Sequence, residues 1–241
     1  MITMKAVIRN PIIPGFHPDP SICRKGDDYY IVTSSFEYFP SIPIFHSKDL
    51  ANWSQIGFAV TDSKMIDLNS CVSGKGIYAA TIRYNEYEDA FYIITTLVHN
   101  DNYYDNETFF IKAKDPSGPW YGYTEVKDAE GIDPSLYFEK DRAWYVGNMR
   151  PGPDIKRKRN IYLSEIDMES GKFIGERKIL LTDGAVHDAV CPEGPHIYHI
   201  GEYYYLLIAE GGTGYNHAVS VFRSRNIDGP YEINPRNPVM T

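Results

Sequence analysis

Three acidic residues stand ahead of tyrosine-containing apolar stretches at nearly equal distances. Asp19 lies 11 residues before Tyr30, Asp133 lies 12 before Tyr145, and Glu193 lies 11 before Tyr204. Carboxyl groups that are brought together cannot all ionise cheaply, so one keeps its proton near neutral pH while another stays charged. Such a division suits hydrolysis of a glycosidic bond, which needs an acid at the leaving oxygen and a base or nucleophile at the anomeric carbon. We therefore expect one active site assembled from three distant parts of the chain.

Clustered carboxylates can also bind a metal ion. The sequence has no D-x-D-x-D loop, and no histidine stands at ligand spacing beside these acids. We therefore expect no metal ligands among them and no required cofactor, with a calcium ion in a central channel as the open alternative. The plainer alternative is that the Asp-Pro-Ser sequences at Asp19 and Asp133 only form turns.

The elements that must position these acids recur along the chain. Four segments each contain a short strand, an acidic or glycine-containing turn, a tyrosine-bearing strand and a third strand that ends in a charged turn. A less regular strand follows each. The marker residues Tyr30, Tyr92, Tyr145 and Tyr204 lie 62, 53 and 59 residues apart. Antiparallel units at such a period are typical of a β-propeller, and no long stretch has helical periodicity. The sequence predicts an all-β fold with about four blades, and a β-sandwich is the alternative.

The first strand of each propeller blade lines the central channel. The three acids directly precede the first strands of repeats one, three and four, so we expect them to meet at one end of that channel. Repeat two has Tyr78-Ala79-Ala80 at the corresponding place. These apolar residues suit the wall of a pocket.

The composition excludes several classes of partner. The formal net charge is −8, whereas nucleic acids and anionic membranes favour basic protein surfaces. No apolar run reaches membrane-spanning length, and the first nine residues lack the apolar core of a signal peptide. The three cysteines are too scattered for a disulfide framework. We expect a cytoplasmic protein with a small neutral partner, no nucleic acid and no membrane.

Five motifs give the chain a recognisable resemblance. They are Gly15-Phe16-His17-Pro18-Asp19-Pro20-Ser21, Ser34-Ser35-Phe36-Glu37-Tyr38-Phe39-Pro40, Gly131-Ile132-Asp133-Pro134-Ser135-Leu136, Pro192-Glu193-Gly194-Pro195-His196 and Ala209-Glu210-Gly211-Gly212-Thr213-Gly214. In this order they resemble glycoside hydrolase family 43, and most of all its β-xylosidases, some of which also release α-L-arabinofuranosyl groups. The resemblance covers nearly the whole chain. It implies a five-bladed propeller and an inverting mechanism.

The resemblance also implies roles for single residues. Asp19 matches the general base that activates water, Glu193 matches the general acid, and Asp133 matches the residue that orients this acid and keeps its pKa raised. Residues that would line the pocket of the terminal sugar are Phe36, Tyr78, Ala79 and Thr213. The implied activity is release of terminal xylose from short β-1,4-xylo-oligosaccharides, with arabinofuranosides as further substrates.

The chain departs from the family pattern in two ways. Four repeats are visible over residues 1–241, and neither a fifth-blade motif nor an accessory β-sandwich is found. We therefore expect a single catalytic propeller over 1–241 that is incomplete at its C-terminus, with open blade edges that favour homo-oligomers, low stability or lost activity. A carbohydrate-binding propeller with weak or no turnover is the alternative function. Relatives also usually carry Trp where this chain has Cys191.

Other residues attract a functional interpretation but favour a structural one. His17 and His196 flank the acids and are expected to be mainly structural. His187 and Asp188 are neighbours, and neighbouring strand residues point to opposite faces, so a loop role is favoured over an acid–base pair. The basic run at 156–159 is expected to be a solvated loop in this acidic protein.

Overall fold

The computed structural model describes residues 7–102, 105–152, 158–186 and 190–241. Within these ranges the chain forms four antiparallel sheets and a short 3₁₀ helix, Leu68–Ser70. Blade 1 contains β1 (Ser21–Lys25), β2 (Asp28–Val32), β3 (Ser41–Ser47) and β4 (Ser54–Val60); blade 2 contains β5 (Gly76–Ile77), β6 (Thr81–Asn85), β7 (Ala90–Val98), β8 (Asn106–Ala113) and β9 (Tyr121–Glu125). Blade 3 contains β10 (Ser135–Glu139), β11 (Arg142–Met149), β12 (Asn160–Ile166) and β13 (Phe173–Leu181); blade 4 contains β14 (Glu193–Ile200), β15 (Tyr203–Glu210), β16 (Ala218–Ser224) and β17 (Glu232–Ile233). The predicted all-β fold with four blades is confirmed, and a fifth blade stays a prediction.

Burial of the strands follows their position within a blade. β7 is buried along its whole length, because the cores that blade 2 shares with blades 1 and 3 cover both of its faces. Its sequence, Ala-Phe-Tyr-Ile-Ile-Thr-Thr-Leu-Val, is accordingly rich in the β-branched and aromatic residues that favour buried strands. The outermost strands β9 and β17 are mostly exposed.

Three hydrophobic cores lie between consecutive blades. Representative members are Val32, Ile82 and Phe109 between blades 1 and 2, Tyr92, Leu136 and Tyr162 between blades 2 and 3, and Trp144, Ile197 and Leu206 between blades 3 and 4. Full burial of one such side chain contributes about 1.5–3 kcal/mol to folding. The blades are therefore held together mainly by their faces.

The inner strands are also joined by side-chain hydroxyl groups at one register position. Ser21 Oγ accepts a hydrogen bond from Ile82 N at 3.2 Å, Thr81 Oγ1 donates to Pro134 O at 2.8 Å, and Ser135 Oγ donates to Pro195 O at 2.5 Å. We call these three residues the inner hydroxyl series; blade 4 has His196 at the same position. The series fixes the height of each inner strand against the next. Among the described residues β14 does not pack on β1 in this way, and Ile22 of β1 is 39% exposed.

The structure corrects the predicted alignment of the repeats. Tyr30 pairs with Cys23 and Tyr92 with Arg83, each at the third residue of the inner strand. Tyr145 instead pairs with the second residue of β10. In blade 4 the equivalent place is occupied by Tyr205, and Tyr204 pairs with the next residue of the inner strand, His199. A shift of one residue turns a side chain to the opposite face. Tyr145 and Tyr204 therefore face the preceding blade, whereas the first two tyrosines face the following one.

Replacement of Thr81 by Val tests the inner hydroxyl series. Thr81 is 3% exposed, so the substitution keeps the shape of the side chain but leaves the Pro134 carbonyl without its donor. We expect the free energy of unfolding to fall by about 1–3 kcal/mol in urea denaturation. Thr124→Val is the control, because the Thr124 hydroxyl bonds only within its exposed strand. Equal stability of the two variants would contradict the role of the series.

Candidate active site

The inner strands begin around a cavity of about 580 Å³. All seven residues that the sequence analysis selected line it, namely Asp19, Asp133, Glu193, Phe36, Tyr78, Ala79 and Thr213. Residues 78–80 of the second repeat form part of its wall, as their place in the repeat predicts. The carboxyl groups thus come from blades 1, 3 and 4. Residues 78–81 of blade 2 form one part of the wall, and blade 4 with the C-terminal residues supplies a larger part.

The backbone at the start of the inner strands has an unusual conformation. Asp19, Asp133 and Gly194 each have a φ of 55°. They occupy the same register position, because each lies two residues before the place of the inner hydroxyl series in its blade, which is Ser21, Ser135 or His196. Asp adopts this left-handed region more readily than most residues, and Gly adopts it freely. In blade 4 the carboxyl group comes from Glu193, one residue earlier. A register shift between Glu193 and His196 accompanies this change, and the longer side chain brings the carboxyl group into the cavity.

Asp19 is the exposed member of the acid group. The buried hydroxyl of Ser34 donates a hydrogen bond to Asp19 Oδ2 at 2.5 Å, and Ser34 N is bonded to Pro18 O at 3.1 Å. Ser34 thus holds both the side chain and the backbone of this segment. A hydrogen bond to the charged form of a carboxyl group favours that form. Sequence reasoning missed this role of Ser34, which it named only as part of a motif.

Asp133 and Glu193 are desolvated within the cavity. Burial, with the charge of Asp19 adding to it, raises the pKa of Glu193 to about 7, although Arg159 and His217 act in the opposite direction. Burial also raises the pKa of Asp133 well above its usual value, and the charges of Glu193 and Asp19 raise it further. These carboxyl groups therefore hold a proton at a pH where an exposed carboxyl group has lost it.

The expectation of a solvated loop is wrong for Arg159. This residue is 7% exposed, its Nη1 donates to Lys158 O at 3.0 Å, and its positive charge lowers the pKa of Asp133 and Glu193 against the larger effect of burial. Lys158 is exposed and pairs with Asp183 at 3.6 Å. The remaining two residues of the basic run, and also His187 and Asp188, lie outside the described residues. The sequence signal that could have indicated burial of Arg159 is its position directly before the apolar strand β12.

Two histidines line the same cavity. His196 Nδ1 lies 3.0 Å from Gly194 O, and burial, assisted by Arg83, lowers the pKa of His196 to about 3. The ring is therefore neutral, and its Nδ1–H donates to Gly194 within the register shift that carries Glu193. His217, which sequence reasoning missed, bonds Gly212 O through Nδ1 at 2.7 Å. His17 packs edge-on against Phe45 instead.

Phe36 and Tyr78 form an aromatic wall with ring centroids 5.4 Å apart. The two-residue strand β5, which was not predicted, holds this wall: Phe36 N bonds Ile77 O at 2.8 Å, and Ile77 N bonds Phe36 O at 3.0 Å. Gly76 has a φ of 111°, and a Cβ there would lie 2.3 Å from Phe36 O. Only glycine therefore permits this close approach. A pairing of two residues leaves no alternating pattern in a sequence, so β5 could not be predicted.

No group of three or more His, Cys, Asp or Glu side chains is arranged to hold a metal ion within the part of the chain that the structure describes. The alternative of a channel calcium ion therefore stays a prediction. In the same described ranges no helix has the length and apolar character needed to cross a membrane.

Comparison with known proteins decides the family. A sequence profile of glycosyl hydrolases family 43 matches residues 8–241. The chain belongs to this family. A xylosidase/arabinosidase of Butyrivibrio fibrisolvens is 46% identical to it over 98% of this chain and 45% of the relative. A non-reducing end alpha-L-arabinofuranosidase of Bacteroides ovatus is 42% identical over 97% of this chain and 41% of its own length.

Solved structures of the family have the same fold. A family 43 protein retrieved from a capybara gut metagenome superposes with a TM-score of 0.88 at 43% identity, over 96% of this chain and 44% of that one. Xylan beta-1,4-xylosidase from Bacillus halodurans superposes with a TM-score of 0.87 at 39% identity, over 98% of this chain and 45% of that one. The chain thus spans less than half the length of these family 43 relatives.

The raised pKa of Glu193 predicts a pH-dependent stability difference. The folded-state pKa of about 7 lies above the unfolded value, so this residue's favourable contribution is complete below about pH 4.5 and is lost as pH rises through 7. Glu193→Gln keeps a neutral side chain at every pH. We expect this variant to gain about 1–3 kcal/mol over the unmodified chain between pH 5 and pH 8.

The measurement is urea denaturation at a series of pH values. Glu202→Gln is the matched control in the same blade, because Glu202 is exposed and pairs with Arg225 on the surface. Stability profiles that stay parallel for the unmodified chain and Glu193→Gln would show that Glu193 is ionised throughout.

Proposed function

We propose that this chain forms the catalytic propeller of an inverting exo-glycosidase. It releases terminal xylose from short β-1,4-xylo-oligosaccharides, and arabinofuranosides are further substrates. The main support is that Asp19, Asp133 and Glu193 line one cavity but have different electrostatic environments. The names of the relatives, which are xylosidases and arabinofuranosidases, support the substrate class.

In this proposal Asp19 is the general base and Glu193 is the general acid. Asp19 removes a proton from water as the water oxygen forms a bond to the anomeric carbon. Glu193 gives its proton to the glycosidic oxygen as the bond from that oxygen to the anomeric carbon breaks. The cycle leaves Asp19 protonated and Glu193 ionised, and exchange with solvent restores both. Base and acid in inverting enzymes stand about 6.5–9.5 Å apart to leave room for the water, and positions on different blades suit that separation.

The surroundings of each acid support these roles. Asp19 is exposed and accepts a hydrogen bond from Ser34, which favours a charged base that water can reach. Glu193 has a pKa of about 7, as a proton donor at neutral pH requires. In this proposal Asp133 acts as the modulator, and burial together with the charge of Glu193 raises the pKa of Asp133. Arg159 lowers the pKa of Glu193 against the larger effect of burial, so that Glu193 still releases its proton.

The cavity wall supports a neutral pentose as ligand. Phe36 and Tyr78 present apolar ring faces that can pack against a sugar ring, whereas Thr213 supplies a hydroxyl group. Xylose and arabinose are pentoses of similar size, and this wall accommodates both in the proposal. The partner is accordingly a small oligosaccharide.

Three further parts of the proposal concern the surroundings of the catalytic propeller. A fifth blade would lie between β14 and β1, which do not pack on one another as the other inner strands do. The inner-strand residues Ile22 and Ile200 are exposed there, which favours a further protein surface that covers them, and a second copy of the chain could also supply that surface.

A cytoplasmic location is supported by three cysteines without disulfide bonds.

The alternative is a carbohydrate-binding propeller without turnover. It is favoured by one observation, that among the described residues β14 and β1 do not pack on one another as the other inner strands do. Binding of xylobiose with no release of sugar, by calorimetry and product analysis on the 241-residue chain, would support it over the enzymatic proposal.

A comparison of leaving groups tests the two catalytic roles. Nitrophenolate leaves without much help from an acid, whereas the sugar alcohol released from xylobiose needs a proton. We expect Glu193→Gln to lower kcat/KM for xylobiose by about 10²–10⁴-fold and to affect nitrophenyl β-xyloside much less. Asp19→Asn should impair both substrates alike, because both need the activated water. Glu202→Gln is the control and should leave both rates unchanged.

Proton NMR of the first product anomer tests inversion, since a β-xyloside must give α-xylose. Release of β-xylose would overturn the inverting mechanism. An equal effect of Glu193→Gln on both substrates would remove Glu193 from the role of acid.

Ser34→Ala tests how the proposed base is held. Without the Ser34 hydroxyl, Asp19 loses a hydrogen bond to its charged form, so we expect kcat to fall about tenfold, which is about 1.4 kcal/mol, with little change in KM. Ser35→Ala is the matched control: its buried hydroxyl bonds Ile42 N at 3.1 Å and not an acid. Both variants should lose stability, but only Ser34→Ala should lose kcat. A similar loss of kcat in both would assign Ser34 a purely structural role.

A further inference from the structure

A second cavity lies at the opposite end of the channel from the candidate active site. The catalytic cavity is formed where the inner strands begin, whereas this cavity of about 330 Å³ is lined by residues from their later parts. We call it the lower cavity. Its lining includes Arg83 of β6, Tyr137 of β10 and Tyr198 of β14, so it joins blades 2, 3 and 4.

Arg83 extends from blade 2 across the edge of blade 3 to blade 4. Its Nε donates to Leu136 O at 3.0 Å, and its guanidinium carbon lies 4.7 Å from the centre of the Tyr198 ring. The residue is 9% exposed. Its Nη2 is buried and has no hydrogen-bond partner among the described residues, nor does any described carboxylate form an ion pair with it. A buried cation without a counter-charge is costly.

The groups around Arg83 do not supply that counter-charge. Burial raises the pKa of the Cys23 thiol to about 12, so this neighbour is neutral. Burial likewise raises the pKa of Tyr137, and His196 is neutral because its pKa is lowered to about 3. Glu86 lines the same cavity but is exposed and forms no ion pair with Arg83. Arg83 therefore packs against neutral groups, whereas Arg24 and Glu86, the charged residues that also line the lower cavity, are exposed.

We propose that the lower cavity binds a small monovalent anion against Arg83. Chloride and a small carboxylate such as formate share the required chemistry, which is one negative charge that accepts a hydrogen bond from Nη2. The face of Tyr198 and the Leu136 carbonyl already occupy the other sides of the guanidinium, so the anion completes its coordination. The bound anion stabilises the contact among blades 2, 3 and 4, and this role is independent of the proposed glycosidase activity.

Anion titrations of the 241-residue chain test the proposal directly. Sodium chloride and sodium formate are each titrated against sodium gluconate at constant ionic strength, so that the reference anion carries the same charge on a much bulkier molecule. We expect a saturable rise in melting temperature of about 2–4 °C with chloride or formate. The line width of ³⁵Cl NMR should increase in the presence of the protein, and formate should reverse the increase.

Two variants separate the site from the general effect of salt. Arg83→Met should abolish both the temperature shift and the line broadening, because the apolar side chain has neither charge nor donor. Arg24→Met is the matched control: Arg24 lines the same cavity, but its side chain is 60% exposed and pairs with Asp27. This variant should retain both signals.

Every outcome decides for or against the site. If Arg83→Met does not fold, Arg83→Lys replaces it, and chloride affinity should then fall at least tenfold because the forked donor is lost. Unchanged affinity in that variant, or equal shifts with chloride, formate and gluconate, would overturn the proposal. A response to formate alone assigns the site to carboxylates. None of these readouts requires turnover, so loss of the glycosidase proposal would leave this one standing.

Discussion

The position of each inner strand depends on a buried hydroxyl group that bonds to the next blade. Ser21, Thr81 and Ser135 are at most 4% exposed, and a buried hydroxyl that loses its partner costs free energy. A slip of one residue would break these bonds and turn the apolar residues between them away from the interblade cores. The strands therefore begin at one height. Because Asp19 and Asp133 stand two residues before Ser21 and Ser135, and Glu193 stands three before the equivalent His196, their convergence follows from the packing of the blades.

The same packing gives the three acids unequal surroundings. Asp19 remains exposed and is bonded by Ser34, whereas Asp133 and Glu193 lose water, which raises the pKa of each. Two desolvated carboxyl groups destabilise the fold whenever both must ionise. The positive charge of Arg159 reduces that cost without removing it, so the arrangement is a balance between stability and a proton held near neutral pH.

The sequence was most informative where chemistry and repetition coincide. The acids at 19, 133 and 193 could be placed in one cavity because each precedes a strand of recognisable composition. The register of Tyr145 could not be predicted, because its strand is buried on both faces and lacks the alternation that reveals which way a side chain points. The register of Tyr204 could not be predicted because tyrosines precede and follow it, so residue type does not distinguish the two faces. Arg159 was misjudged for a related reason. A run of charged residues indicates a segment that is exposed to solvent, but burial of a single arginine depends on which other segments pack around it.

The channel also has electrical polarity, which no local pattern reveals. Acidic groups gather where the inner strands begin, and the cation Arg83 lies towards their far ends. His196 stands between them and is neutral, since burial and the charge of Arg83 both lower its pKa. A neutral imidazole keeps its Nδ1–H on Gly194 O and adds no positive charge beside Glu193. Protonation of His196 would favour ionised Glu193 and so remove the proton that the proposed acid must donate. Burial is the larger of the two effects on His196, so the group below the proposed acid stays uncharged mainly because it is desolvated.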